Sequence, residues 1–264
     1  MRQAYERRGE GEPLVLIHGI GSQWQVWTPV LDALARERDV IALDLPGFGD
    51  SPVLDRRPTP EALADAVAAF LDELGVAEAH AAGNSLGGGI ALELGRAGRA
   101  RSVTALSPIG FWNDREWVYA RASLRGAVTF SRAARPLLPF LLRPAAGRTL
   151  ALAQFMARPW LLPTEDAIRA VENLATSPGF DPTLDAMDGW RFQRGEEVRC
   201  PVTVAWAQRD WLLIPRQANR VRRALPDARH VMLRGCGHVP MADDPGQVAQ
   251  ALLDGSRVAM PAAA

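Results

Sequence analysis

The 264-residue chain contains no lysine, only two cysteines and only four histidines, and each scarcity excludes something. Cys200 and Cys236 are too few for a disulfide framework or a thiolate metal cluster, and His18, His80, His230 and His238 are scattered without ligand spacing. No metal and no cofactor is therefore expected, and a reducing compartment suits the chain. Long apolar runs are missing as well. None approaches the length of a membrane span, and the charged start Met1-Arg2-Gln3-Ala4-Tyr5-Glu6-Arg7-Arg8 lacks the apolar segment and cleavage site of a signal peptide. The expectation is a soluble, cytoplasmic protein with no stable membrane insertion. With lysine absent, arginine alone supplies the 30 cations, and 30 acidic residues bring the formal net charge to +0. That balance gives no electrostatic case for nucleic acid or for an anionic membrane as a partner. No phosphate-binding glycine loop is present either.

What is present is apolar and periodic. At 48% hydrophobic residues the chain can bury a sizeable core as one domain with room for an inserted subdomain. Leu14-Val15-Leu16-Ile17 is bounded by Pro13 and Gly19 and is too short for a helix, so it reads as a strand buried on both faces. Asp39 to Leu45, Ala79 to Asn84, Ser102 to Leu106, Pro201 to Trp206 and His230 to Leu233 read the same way. Helical patterns lie between them. Thr59-Pro60-Glu61 supplies an N-cap, a first-turn proline and an early acid to a helix with Leu63, Val67, Phe70, Leu71 and Leu74 on one face, ending at Gly75. Strands alternating with helices predict an α/β fold with a mostly parallel central sheet flanked by helices. The alternation stops near Phe111. Residues 113–197 show no buried strand, only helical patterns broken by prolines, and read as a helical insertion between core segments 1–112 and 198–264. Within it, Pro136 to Leu142 is expected to be buried against the main domain, with an apolar entrance or a lipid contact as the alternative. A short frayed tail is expected at Met260 to Ala264.

Ligands of open parallel sheets bind at the carboxyl ends of the strands, which directs attention to the polar residues there. Gly83-Asn84-Ser85-Leu86-Gly87 reads as strand, sharp turn, helix: glycines let neighbouring backbones approach, and Ser85 is presented at the apex. His18-Gly19-Ile20-Gly21 follows the first buried strand, Asp210 follows Val202 to Trp206, and His238 follows the last strand. His18 reads as a structural residue fixing its loop, and His80 and His230 as packed or surface residues.

Ser, Asp and His at successive strand ends, together with Asp44-Leu45-Pro46-Gly47-Phe48-Gly49-Asp50-Ser51 and Gly237-His238-Val239-Pro240, resemble the α/β-hydrolase family over nearly the whole chain. The resemblance implies that 113–197 forms a cap over the active site. It also implies a Ser85, His238 and Asp210 triad, with the backbone N–H groups of Ile20 and Leu86 as the oxyanion hole. Candidate substrate-pocket residues are Trp24, Asn84, Arg158, Trp160, Arg191, Trp211 and Val239. Members resembling haloalkane dehalogenases and epoxide hydrolases carry aspartate at the apex, so Ser85 points elsewhere.

The leading expectation is a serine hydrolase that cleaves a carboxylic ester of a small-to-medium apolar substrate, with that small molecule as its expected partner. A carbon–carbon hydrolase of ring-fission products is the alternative. Asn84 and Cys236 match that branch, Val239 stands where it has tryptophan, and Arg158 or Arg191 would have to meet the substrate carboxylate. Cofactor-free perhydrolysis uses the same triad. A non-catalytic ligand-binding receptor on this fold is the alternative of another class. The sequence carries no signal for oligomeric state.

Overall fold

Strands with unbroken apolar runs make the centre of the molecule. In the computed structural model, which describes residues 3–257, β2 (Pro13–Ile17), β3 (Asp39–Leu43), β4 (Ala79–Asn84) and β5 (Ala100–Leu106) are almost entirely buried. They join β1 (Tyr5–Arg8), β6 (Val202–Ala207) and β7 (Arg229–Leu233) in a seven-stranded sheet of order β1-β3-β2-β4-β5-β6-β7. Every neighbouring pair is parallel except β1 with β3. Sequence reading missed β1 because it has no apolar face: it is a charged edge strand held by Arg7, which forks onto the Asp39 carboxylate at 2.8 and 2.7 Å.

The side chains of each strand alternate between two cores, as a period of two demands. Val15, Ile17, Ile41, Leu43 and Ala81 point to one face, packed with residues of α2 (Pro60–Glu73), α3 (Leu86–Arg96) and α9 (Ala218–Ala224). Leu14, Leu16, Val40 and Ala82 point to the other, covered by α1 (Thr28–Leu34), the one-turn α10 (Pro240–Asp243) and α11 (Pro245–Ser256). Each fully buried Leu or Val contributes about 2 kcal/mol of transfer free energy, so both faces must be roofed for the sheet to be stable. Helix α2 begins as its sequence requires, with the Thr59 hydroxyl accepting from Ala62 N–H at 3.2 Å, and it stops before Gly75, which adopts φ +73°.

Between β5 and β6 the described residues hold helices and no strand. These are α4 (Asp114–Ala134), α5 (Leu138–Leu141), α6 (Ala145–Leu152), α7 (Thr164–Thr176) and α8 (Phe180–Ala186). A capping box starts α4: the Asn113 side chain accepts from Glu116 N–H and the Glu116 carboxylate accepts from Asn113 N–H, both at 2.9 Å. The expected burial of Pro136 to Leu142 against the main domain needs correction. Leu138 and Leu142, one turn apart, are buried, and α5 packs on α7 within the insertion. Leu137 and Phe140 lie on the opposite side of that turn and are exposed.

The insertion touches the sheet at its carboxyl edge. Gly179 N–H donates to Gly47 O at 2.8 Å after β3, and Val239 N–H donates to Phe155 O at 2.7 Å after β7. A Cβ at Gly21, after β2, would stand 2.5 Å from Leu174 of α7. The tail expected at Met260 to Ala264 lies outside the described residues. No described helix is long and apolar enough to cross a membrane.

Candidate active site

The turn from β4 into α3 is strained in the way its sequence suggests. Ser85 adopts φ 58°, ψ −114°, a conformation that costs a non-glycine residue about 1–3 kcal/mol. Backbone bonds hold it there: Ser85 N–H donates to Leu106 O at 2.9 Å, and Ser85 O accepts from Gly89 and Ile109 N–H, both at 3.1 Å. The flanking glycines are required by contact. A Cβ at Gly83 would meet Gly87 O at 2.1 Å, and one at Gly87 would meet Ile17 O at 2.0 Å. A Cβ at Gly19 would lie 3.3 Å from the Ser85 Cβ, which places the loop after β2 directly against the serine. Neither Ile20 N–H in that loop nor Leu86 N–H at the start of α3 is spent on a backbone carbonyl.

His18 sets that loop. Its Nε2 accepts from Leu45 N–H at 2.9 Å, so Nδ1 carries the proton and donates to Gly19 O at 2.7 Å. Full burial pushes its pKa down to about 4, and the ring is neutral at pH 7. Asp44, at the end of β3, ties two more loops together by accepting from Trp24 N–H at 2.7 Å and Asp50 N–H at 3.1 Å. Burial raises its pKa, and a Cβ at Gly49 would run into its carboxylate.

Asp210 and His238 meet although they lie on loops after different strands. His238 Nδ1 is 2.8 Å from Asp210 Oδ2, with both side chains buried. The other carboxylate oxygen accepts from Leu212 N–H at 3.0 Å and Leu213 N–H at 2.7 Å, which fixes the plane of the acid. The Asn84 amide donates to His238 O at 2.9 Å and to Leu106 O at 3.2 Å, stitching the histidine loop to the residue before Ser85. At the end of β5, Ser107 is held at φ 39° and its hydroxyl accepts from Ala207 N–H at 3.1 Å, so no carboxylate stands there. Cys236 is buried, and burial pushes its thiol up to about 12, far from a reactive thiolate.

One residue that sequence reading missed binds the insertion to this centre. The Asp243 carboxylate accepts from Gly237 N–H at 2.7 Å and Ala157 N–H at 2.9 Å on Oδ2, and from Arg158 N–H at 2.8 Å on Oδ1. Gly237 itself is pressed so closely on Met156 and Ala157 that a Cβ would stand 2.6 Å from Ala157 N. The only local signal, the pair Asp243-Asp244 before Pro245, reads as a helix cap, and that role belongs to Asp244, which accepts from Gln247 N–H at 3.0 Å.

Several expected pocket residues are placed elsewhere. Arg158 Nη2 donates to Asp243 O at 2.8 Å, and Arg191 pairs with Asp114 at 2.9 Å while its guanidinium lies 5.8 Å over the Trp112 ring. Arg191 is thus paired with a carboxylate, while Arg158 spends one N–H on a backbone carbonyl. Trp160 and Trp211 are surface residues, 46% and 65% exposed. Trp24 packs on the core beneath α1, and Val239 packs between the two cores. Asn84 is a buried tether of the histidine loop rather than an open pocket wall. A cleft of about 170 Å³ opens between Ser22, Gln23 and Val26, just past the Gly19 loop, and Ala170 and Asn173 of α7. Met156, in contact with Gly237, lines it too.

Residues 14–251 match the family model described as the alpha/beta hydrolase family. Among curated proteins, the chain is 31% identical over 253 residues to the dihydrolipoyllysine-residue acetyltransferase component of the acetoin cleaving system of Pseudomonas putida. That match covers 94% of this chain and 65% of the longer relative. It is 33% identical over 195 residues to the epoxide hydrolase EphH of Mycobacterium tuberculosis, covering 71% of this chain and 90% of that protein. Among solved structures, a membrane phospholipase A described as a bacterial virulence factor superposes with a TM-score of 0.76 at 27% identity, covering 97% of this chain and 84% of the other. The sheet order, the strained serine turn and these matches agree: the chain belongs to the alpha/beta hydrolase family.

Proposed function

We propose that the protein hydrolyses a carboxylic ester of a small-to-medium apolar substrate, with Ser85 as nucleophile, His238 as general base and Asp210 as its orienting acid. Residues 113–197 act as the cap. The observation that carries this reading is the buried 2.8 Å contact between His238 Nδ1 and Asp210 Oδ2. An acceptor on Nδ1 selects the tautomer that protonates that nitrogen and leaves the Nε2 lone pair free to take the serine proton. As Ser85 Oγ attacks the ester carbon, the proton passes to Nε2, and Asp210 stabilises the resulting imidazolium. The carbonyl oxygen becomes an oxyanion facing the unspent N–H groups of Ile20 and Leu86, each such donor being worth about 3 kcal/mol at the transition state. Collapse expels the alcohol, which takes the proton from His238. Water activated by the same base then releases the acid.

Competing chemistries are less well supported. Serine attack on an epoxide would leave an ether, which has no carbonyl for water to attack, so the epoxide hydrolase relative does not carry its named activity onto Ser85. Carbon–carbon cleavage of a carboxylated substrate needs a cation turned to that carboxylate; Arg191 is paired with Asp114, and Arg158 spends one N–H on Asp243 O. A pure binding protein has no need of a strained serine. The phospholipase neighbour, an ester hydrolase by name, agrees with the ester reading. The test is turnover of chromogenic short-chain esters. Wild type is expected to turn over, and Ser85→Ala to lose about 10⁶-fold in kcat; equal rates in the two would refute the proposal.

A further inference from the structure

Charge is balanced over the chain but not along it. Residues 117–164, from the first turn of α4 to the start of α7, hold seven arginines and no aspartate or glutamate. The same stretch leaves Phe130, Leu137, Phe140, Leu150, Trp160 and Leu161 on the surface, with Phe140 80% and Leu150 88% exposed. Isolated exposed apolar residues are ordinary, but these crowd into one stretch of the insertion, between α4 and the start of α7. Phe130 and Leu150 line an apolar groove of about 580 Å³ together with Leu138, Leu141 and Leu142. Arg148 ties the end of α5 to the Trp160 turn, donating to Leu142 O at 3.0 Å, Arg143 O at 2.7 Å and Trp160 O at 3.1 Å. Three of the seven arginines are paired from outside the stretch: Arg121 and Arg125 share Asp185 at 3.0 and 2.6 Å, and Arg132 meets Asp181 at 2.8 Å. Arg135 and Arg143 are exposed and, among the described residues, meet no carboxylate, while Arg148 is held by carbonyl and hydroxyl oxygens alone.

An apolar face bracketed by uncompensated arginines fits a surface that is anionic outside and apolar within. We propose that this face of the insertion docks peripherally on an anionic lipid surface. Phe140, Leu150 and Trp160 enter the boundary between headgroups and acyl chains, and the exposed Arg135 and Arg143 meet the lipid phosphates. The zero net charge of the whole chain does not oppose this, because screening over about 10 Å at 0.1 M salt makes a surface sense the local charge only. A two-fold contact with a second copy is disfavoured, since it would set these arginines against their own symmetry mates.

The test is co-sedimentation of the whole chain with large unilamellar vesicles, either phosphatidylcholine alone or phosphatidylcholine mixed with phosphatidylglycerol, at low and high salt. The chain is expected to partition onto the mixed vesicles and to be released by salt. The pair Arg135→Gln and Arg143→Gln should weaken partitioning about thirtyfold, and the pair Phe140→Ser and Leu150→Ser at least about tenfold. All four positions are exposed, and unchanged circular dichroism and thermal melting would verify the fold. Three outcomes would overturn the proposal: no partitioning onto mixed vesicles, equal partitioning onto phosphatidylcholine alone, or partitioning that neither pair weakens. Loss of a dimer in sedimentation velocity by the same variants, without vesicle binding, would assign the face to self-association instead. None of these readouts depends on ester hydrolysis.

Discussion

Asp243→Asn should separate the role of the Asp243 carboxylate from that of an ordinary surface acid. Asp243 is 8% exposed and its two oxygens take three backbone N–H groups, two from the insertion and one from Gly237 beside His238. Asparagine keeps one acceptor oxygen and turns an NH₂ toward the remaining donor or donors. The change therefore loses one or two charge-assisted bonds and leaves buried N–H groups unpaired, a cost of about 2–4 kcal/mol. Against a total stability of about 5–15 kcal/mol the variant stays folded at room temperature. Its catalytic effect follows from position: Gly237 precedes His238, and a shift of that loop by a fraction of an ångström is enough to cost about 10–100-fold in kcat. The assay pairs urea unfolding with steady-state hydrolysis of a soluble short-chain ester, measured well below the melting temperature. Asp244→Asn is the internal control. Asp244 caps α11 through Gln247 N–H at 3.0 Å, and asparagine caps as well as aspartate, so its stability should change by less than about 0.5 kcal/mol and its kcat hardly at all. If Asp243→Asn were no more damaging than Asp244→Asn in either measurement, the clamp between insertion and histidine loop would be refuted.

Two further outcomes follow from the same geometry. His18 has its pKa lowered from 6.5 to about 4 by burial, so between those values the unfolded chain binds more protons than the folded one. Its contribution is fully present above pH 6.5 and is lost as pH falls toward 4, about 3 kcal/mol in all at 1.36 kcal/mol per unit. His18→Asn should be less stable at pH 7 but show a shallower fall in urea unfolding over that window, and equal slopes would count against the buried neutral ring. Gly237→Ala puts a Cβ 2.6 Å from Ala157 N. It should cost about 1–3 kcal/mol by calorimetry and slow hydrolysis; a silent substitution would mean that the loops do not approach so closely.

How much was legible in the sequence differs between the sheet and the insertion. Strands β2 to β6 announced themselves because a strand buried on both faces must be apolar throughout, and the serine turn because its glycines are forced by contacts near 2 Å. Strand β1 did not, since an edge strand with exposed arginines has no such constraint. Asp210 and His238 could be named from their places after strands, but their 2.8 Å contact joins residues 28 positions apart that no local pattern links. Arg158 and Arg191 were eligible for the substrate only while their partners were unknown. Asp243 and Asp114 claim them through contacts 85 and 77 residues away. The exposure of Leu137 and Phe140 likewise depends on which side of a short turn packs on α7, which a run of leucine, proline and phenylalanine does not encode.

The central claim is that Ser85, activated by His238 and Asp210, forms an acyl-enzyme. The most direct test is intact-mass spectrometry after incubation with a fluorophosphonate, followed by peptide mapping, on wild type and Asp210→Asn. A single adduct on the peptide containing Ser85, formed much more slowly in Asp210→Asn, is the expected result. No adduct, or an adduct on another residue with Ser85 unmodified, would contradict it.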